Sequence, residues 1–134
     1  MLQQNVFELI PKNKFDFSTI NQLMRISEDD VQPILSKLLD WIADFNWPIA
    51  EDVCKVLARF PNSITPLLKE ALNPNAEDEI LKYWIILKLI PLLPRNTQML
   101  LKEDLCRIYE HPTTSEKIQE VDEQAETILK QYYT

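Results

Sequence analysis

Ile80-Leu81-Lys82-Tyr83-Trp84-Ile85-Ile86-Leu87-Lys88-Leu89-Ile90 is the stretch on which the fold turns. Read as a helix from about Glu77 to Ile90, it is apolar on nearly every side and has only Lys82 and Lys88 to point outward. A helix without a polar face belongs in the middle of a helical assembly, with neighbours on both sides. Trp84 is then expected in the core.

The flanking segments read as helices too. Asn73-Pro74-Asn75 is a turn, and the helix before it runs to Leu72 with Asn62 or Ser63 as its cap. The one before that carries the stripe Ile49, Ala50, Val53, Val56, Leu57 and Phe60 and is ended by Pro61. Ser27 with Glu28, Asp29 and Asp30 opens a helix to about Asp44, because a hydroxyl cap and acids in a first turn satisfy free N–H groups and the helix dipole. Its buried face is Val31, Ile34, Leu35, Leu38, Ile42 and Phe45, at three- and four-residue spacing. A shorter helix starts at Asp16 or Ser18 and reaches Arg25. Beyond the central stretch, Asn96 or Thr97 begins a helix to about Tyr109. Thr113 with Glu116 has capping-box spacing for the last one, which buries Ile118, Val121, Ala125, Ile128, Leu129 and Tyr132. About seven helices with short connectors define an all-α fold with no room for a sheet.

Composition agrees. The 134 residues suit one domain spanning 1–134, and 46% hydrophobic with 26% charged residues is a globular balance. Glycine is absent, where average usage would supply roughly nine. Phosphate loops, dinucleotide-binding turns, nucleophile elbows and most tight β-hairpins depend on glycine, so these are excluded. The net charge of −7 disfavours nucleic acid and anionic membranes as partners. Glu110, Glu116, Glu120, Asp122, Glu123 and Glu126 face only Lys117; they form either a solvated helix face or an acidic docking face for a basic partner. Cys54 and Cys106 have neither the number nor the spacing of a disulfide or zinc framework. From Met1 to Phe15 no secretory signal is visible, and Ile80 to Leu93 is short and charged for a membrane span. The expectation is a cytoplasmic protein.

Laid on itself at an offset of 33 residues, the chain matches Pro33 with Pro66, Leu35 with Leu68, Leu39 with Leu72, Val53 with Ile86, Leu57 with Ile90 and Pro61 with Pro94. A third copy starts with Leu67, Leu68 and Leu72 over Leu100, Leu101 and Leu105, then drifts. Atypical end units are what a stacked repeat needs to close its core. Two antiparallel helices with a proline early in the first resemble the HEAT repeat, which implies an α-solenoid stack of helix pairs. Leu9-Ile10-Pro11-Lys12-Asn13-Lys14-Phe15-Asp16, Asp44-Phe45-Asn46-Trp47-Pro48-Ile49-Ala50, Lys82-Tyr83-Trp84 and Leu92-Leu93-Pro94 together resemble the bacterial domain-of-unknown-function 5071 family. That resemblance implies a HEAT-like fold and carries no activity or catalytic residues with it.

Chemistry is sparse. The one histidine, His111, sits in the turn Glu110-His111-Pro112-Thr113, and no signature pairs it with a cysteine. Asp29 with Asp30 and Glu77 with Asp78 fall at helix starts, where capping explains them. Nothing in the pattern points to a metal ligand set or a cofactor. Tryptophan is both a core filler and the residue most enriched at binding hot spots. Trp41 lies off its helix stripe and Trp47 at the Asn46-Trp47-Pro48 corner, so anchor and core roles are both open to them. Lys82, Tyr83, Asp44 and Asn46 are candidates for a polar rim around them, Asp44 and Asn46 alternatively for bonds to the corner backbone. The leading expectation is a non-enzymatic protein-binding module, scaffolding or neutralising a basic protein, with Trp41, Asp44, Asn46, Trp47, Lys82 and Tyr83 as its contact residues. The rival is a helical-repeat enzyme on nucleic acid, resembling the HEAT-like DNA glycosylases, with Trp41, Asp44 and Trp47 around a nucleotide; the acidity opposes it.

Overall fold

Side chains that can accept from a first turn open four of the helices. Asp16 accepts from the Thr19 N–H, Ser27 from Asp30 and Asp78 from Leu81, while Thr113 and Glu116 close the capping box expected from their spacing. The computed structural model describes residues 5–133; Met1, Leu2, Gln3, Gln4 and Thr134, which the reading of 1–134 as one domain included, lie outside the described residues. The helices are α1 (Phe17–Leu23), α2 (Glu28–Val31), α3 (Leu35–Asp40), α4 (Ala50–Ala58), α5 (Pro61–Ala71), α6 (Glu79–Trp84), α7 (Arg95–Leu100), α8 (Lys102–Glu110), α9 (Thr114–Ile118) and α10 (Val121–Tyr132). No strand occurs among the described residues.

Four of the expected helices are subdivided: the one from Asn96 or Thr97 to about Tyr109 divides into α7 and α8 at Leu101, and the other three divide for local reasons. The one from Ser27 to Asp44 becomes α2, a 3-10 turn at Gln32–Ile34, α3 and a second 3-10 turn at Trp41–Ala43; the first break falls at Pro33, which has no N–H to continue the ladder. After α6 the central helix widens into a π turn at Ile85–Leu89 and tightens into a 3-10 turn at Ile90–Leu92. The Ile90 N–H donates to the Ile85 carbonyl, which re-registers the ladder just before Pro91, a residue with nothing to donate. The expected last helix breaks into α9 and α10 at Glu120, whose φ of 62° and ψ of 24° are left-handed. It is the one positive-φ residue among those described. A glycine would take that conformation without a steric penalty; a chain without glycine places it on Glu120. A smaller correction concerns α5, which starts at Pro61 itself, not after a cap at Asn62 or Ser63. Proline suits a first helical position because its missing N–H would be unpaired there anyway.

The buried apolar residues form one connected cluster from Leu9 to Ile128. α4 packs against α1 on one side and against residues 85–89 on the other, and residues 85–89 pack in turn against α10. A second set of elements contacts this row: α3 packs on α4, α8 along α10, and α5 meets both α4 and α7. All four apolar pairs of the 33-residue offset, Leu35/Leu68, Leu39/Leu72, Val53/Ile86 and Leu57/Ile90, are buried in both copies.

Polar bridges between distant segments follow the same period. Arg59 donates to the Leu23 and Ile26 carbonyls at the end of α1 (2.7 and 3.0 Å), and Arg107 donates to the Leu72 carbonyl at the end of α5 (2.7 Å). Lys69 reaches the Leu100 carbonyl and Asp104, Gln32 reaches Ser63, and the Tyr133 hydroxyl donates to the Gln98 carbonyl. Each of these joins residues 31 to 36 apart in sequence.

Candidate functional site

Lys82 is fully buried. The expectation that it points outward from the central helix, or stands in a rim around the tryptophans, is corrected: its ammonium donates to Glu79 (3.1 Å) and to Glu116 of α9 (2.8 Å). Arg107 of α8 grips both oxygens of Glu116, and the Thr113 N–H donates to one of them at 2.9 Å. A lone buried ammonium would be very costly, so Lys82 is tolerable only because this carboxylate set surrounds it. Burial pushes the Glu116 carboxyl up, but the Arg107, Lys82 and Thr113 hydrogen bonds outweigh it and hold the group at about 2, below its ordinary 4.5. The node thereby ties α6, α8, α9 and the end of α5 together.

The opposite sides of α6 and α9 make a groove. Two residues before Lys82 stands Ile80, and two residues after Glu116 stands Ile118, with exposures of 52% and 71%. Ile118 was expected to be buried; the left-handed break at Glu120 ends α9 and leaves it on the surface. Ile80, Tyr83, Trp84, Ile118, Gln119 and Glu120 line a hollow of about 380 Å³. An adjoining hollow of about 340 Å³ shares Ile80, Ile118 and Gln119 and adds Glu77, Asp78, Glu79 and Ser115. Neither is lined by a Lys or Arg. Exposed carboxylates stand along the two hollows at Glu77, Asp78 and Glu120; the Asp40 carboxyl lies above its ordinary range, chiefly through burial, with Lys37 opposing and Asp78 adding to the rise.

Trp84 belongs to this surface. Expected in the core, its ring is half-buried; it stacks on Phe45 with centroids 5.0 Å apart and takes the Tyr83 ring edge-on at 5.0 Å. Ile80 and Trp84 stand one turn apart on α6, while the exposed Leu87, inside the widened turn, lines a separate hollow against α10. The all-round apolar character of the central helix thus has two causes, a buried face and apolar surface residues.

The remaining site residues gather at the corner before α4. The Trp41 and Trp47 rings meet at 4.8 Å, and both are half-buried. The exposed Asp44 spends its carboxylate on the Asn46 N–H (3.1 Å), and its carbonyl accepts from Trp47 (3.2 Å), which is the backbone role already open to it from the sequence. Phe45, between them in sequence, connects this corner to Trp84. The structure therefore brings Trp41 to Trp47 and Tyr83 to Trp84, and removes Lys82 from the accessible set. Sequence reasoning missed Ile80, Trp84 and Ile118 as surface residues.

His111 is an exposed helix-end residue after α8, and Cys54 is buried with its thiol pushed up to about 12, chiefly by burial and by Glu51. Among the described residues no group of three or more His, Cys, Asp or Glu side chains is placed to hold a metal ion, and no helix is long and apolar enough to cross a membrane.

An all-helical chain with a recessed aromatic surface and an internal ion node matches one family model, described as Domain of unknown function (DUF5071), over residues 9–129. The chain belongs to that family. No curated protein matches it.

Proposed function

We propose that the chain is a non-enzymatic protein-interaction module of the cytoplasm, a HEAT-like stack of helix pairs folded as one unit, that holds a basic protein partner as scaffold or neutraliser. The HEAT-like reading is supported by the 33-residue register of buried pairs and by polar bridges of the same span. The protein-binding reading is carried by one observation: Ile80 and Trp84 of the central element and Ile118 of α9 line one surface hollow, setting large apolar side chains where solvent reaches them. Contiguous apolar surface of this kind marks an interaction site far more often than it serves the fold. The nucleic-acid enzyme draws no support from the corner, where Trp41 and Trp47 pack on each other and Asp44 is engaged with backbone.

A photo-crosslinking amino acid at position 84, introduced in cells, tests the proposal. The expected result is one or a few discrete crosslinked proteins, lost when the exposed Ile80 of the same hollow is changed to Asp. Crosslinks distributed only by cellular abundance would refute it.

A further inference from the structure

The groove between α6 and α9 is built from both sides. On the inner side, Lys82 and Glu116 fix the separation of the two helices through a buried charge pair that Arg107 and Thr113 complete. On the outer side, two residues along each helix, Ile80 and Ile118 face the same trough. The walls are therefore in place before anything binds, which spares a ligand the ordering cost of making them. At one end stands Glu120, held in a left-handed conformation that a glutamate adopts only with strain; such strain concentrates where surrounding structure imposes a function-related geometry.

The occupant's chemistry follows from the lining. Ile80, Trp84 and Ile118 offer an apolar seat, Glu77, Asp78 and Glu120 offer exposed negative charge, and no cation lines the trough to compete. We propose that the groove takes a basic amphipathic segment of a partner protein, seating one large apolar side chain among Ile80, Trp84 and Ile118 and setting its Lys or Arg residues against Glu77, Asp78 and Glu120. This rests on the reading of the chain as a protein-binding module. A second copy of the chain is the wrong sign, since each copy carries a net charge of −7. Hollows of about 340 and 380 Å³ match single side chains and a short stretch of backbone in scale, which favours a linear segment over a folded surface.

Calorimetric titration of the full chain with three synthetic peptides tests this: a Lys/Leu peptide with helical spacing, a Glu/Leu peptide of the same apolar spacing, and a Lys/Ser peptide of the same charge. One Lys/Leu peptide should bind per chain, with the other two at least about tenfold weaker. Ile118→Asp is the decisive variant, because Ile118 is exposed and its loss leaves the core intact, as a thermal melt would check. Groove insertion predicts a weakening of about tenfold or more, whereas diffuse attraction to an acidic protein predicts a strengthening from the added charge. Equal or tighter binding by Ile118→Asp, equal binding of the Glu/Leu peptide, or no binding of the Lys/Leu peptide would overturn the proposal. Failure of the wider reading looks different: a cellular partner kept by Ile118→Asp but lost with Trp47→Ala moves the interface to the corner and overturns the groove alone, while no partner for the wild-type chain overturns the module itself.

Discussion

Replacing Glu116 by Gln keeps the shape of the side chain and removes the charge that holds the inner node. Lys82, with no exposed surface, then keeps Glu79 as its ionised partner, and Arg107 keeps the Leu72 carbonyl. Two arguments give the size of the loss. A carboxyl held at about 2 in the folded chain against an ordinary 4.5 corresponds to about 3 kcal/mol of stabilisation near neutral pH. Removing one member of a buried ion set independently costs about 3–5 kcal/mol. Urea unfolding monitored by circular dichroism should show the midpoint falling by roughly 1–3 M at unchanged slope. The pH dependence supplies the stricter check. Because the folded carboxyl is depressed, its contribution is complete above the unfolded value of about 4.5 and is lost as the pH falls toward about 2. The difference between wild type and Glu116→Gln should therefore close over that window. A variant within about 0.5 kcal/mol of wild type near neutral pH, or a difference that stays constant down to about pH 2, would refute the account of the node.

Trp84→Ala should cost about 1–2 kcal/mol, below the 3–5 kcal/mol of a fully buried tryptophan, because its ring is half-buried; a urea melt showing the larger loss would return the ring to the core. Glu120→Gly should stabilise the chain by roughly 0.5–1 kcal/mol by relieving the left-handed strain, and a destabilised variant in the same assay would remove strain from the description of α9. The Tyr133 hydroxyl, raised to about 12 by burial first and by Cys106, with Arg95 opposing, should give an ultraviolet ionisation step near pH 12 that Tyr133→Phe removes. The stabilisation linked to the neutral hydroxyl, which donates to the Gln98 carbonyl, is complete below the ordinary value of about 10 and is lost as the pH rises through about 12; a spectrum in which Tyr133→Phe removes a step near pH 10 instead would refute the buried position of the hydroxyl.

How much of this was legible depended on whether the deciding force was local. Ser27 and Thr113 act within one turn and opened helices where the sequence placed them; of Asp16 and Ser18 it is Asp16 that caps, and the central helix opens at Asp78, one residue after the expected Glu77. The missing glycines removed sheets and phosphate loops before any packing was considered. Lys82 was misread because helical periodicity says which side of a helix a residue occupies, not whether that side meets solvent or a carboxylate. A clue existed: Lys82 and Glu116 stand 34 residues apart, close to the repeat offset, so opposite charges fall at matching places in successive units. Ile118 had no such clue. Its exposure depends on a left-handed residue, and the usual signal for one is the glycine that this chain lacks.

The central stretch then has a physical explanation that covers both errors. A helix apolar on all sides can be buried on all sides, or it can bury one side and offer another to a partner; only the first was considered from the sequence. Lys82 discriminates between them. An ammonium in the fully enclosed centre of a small core would be hard to satisfy, whereas a lysine between two helices that also meet the surface can be matched by carboxylates from each. A purely apolar contact between α6 and α9 would permit sliding, since dispersion and burial are non-directional. The bond from Lys82 ties α9 directly to α6, and the two from Arg107 and the one from Thr113 hold the Glu116 carboxylate in the position where that bond forms, which fixes the register. With the register fixed, Ile80 and Ile118 stand opposite one another, and the groove follows from the node.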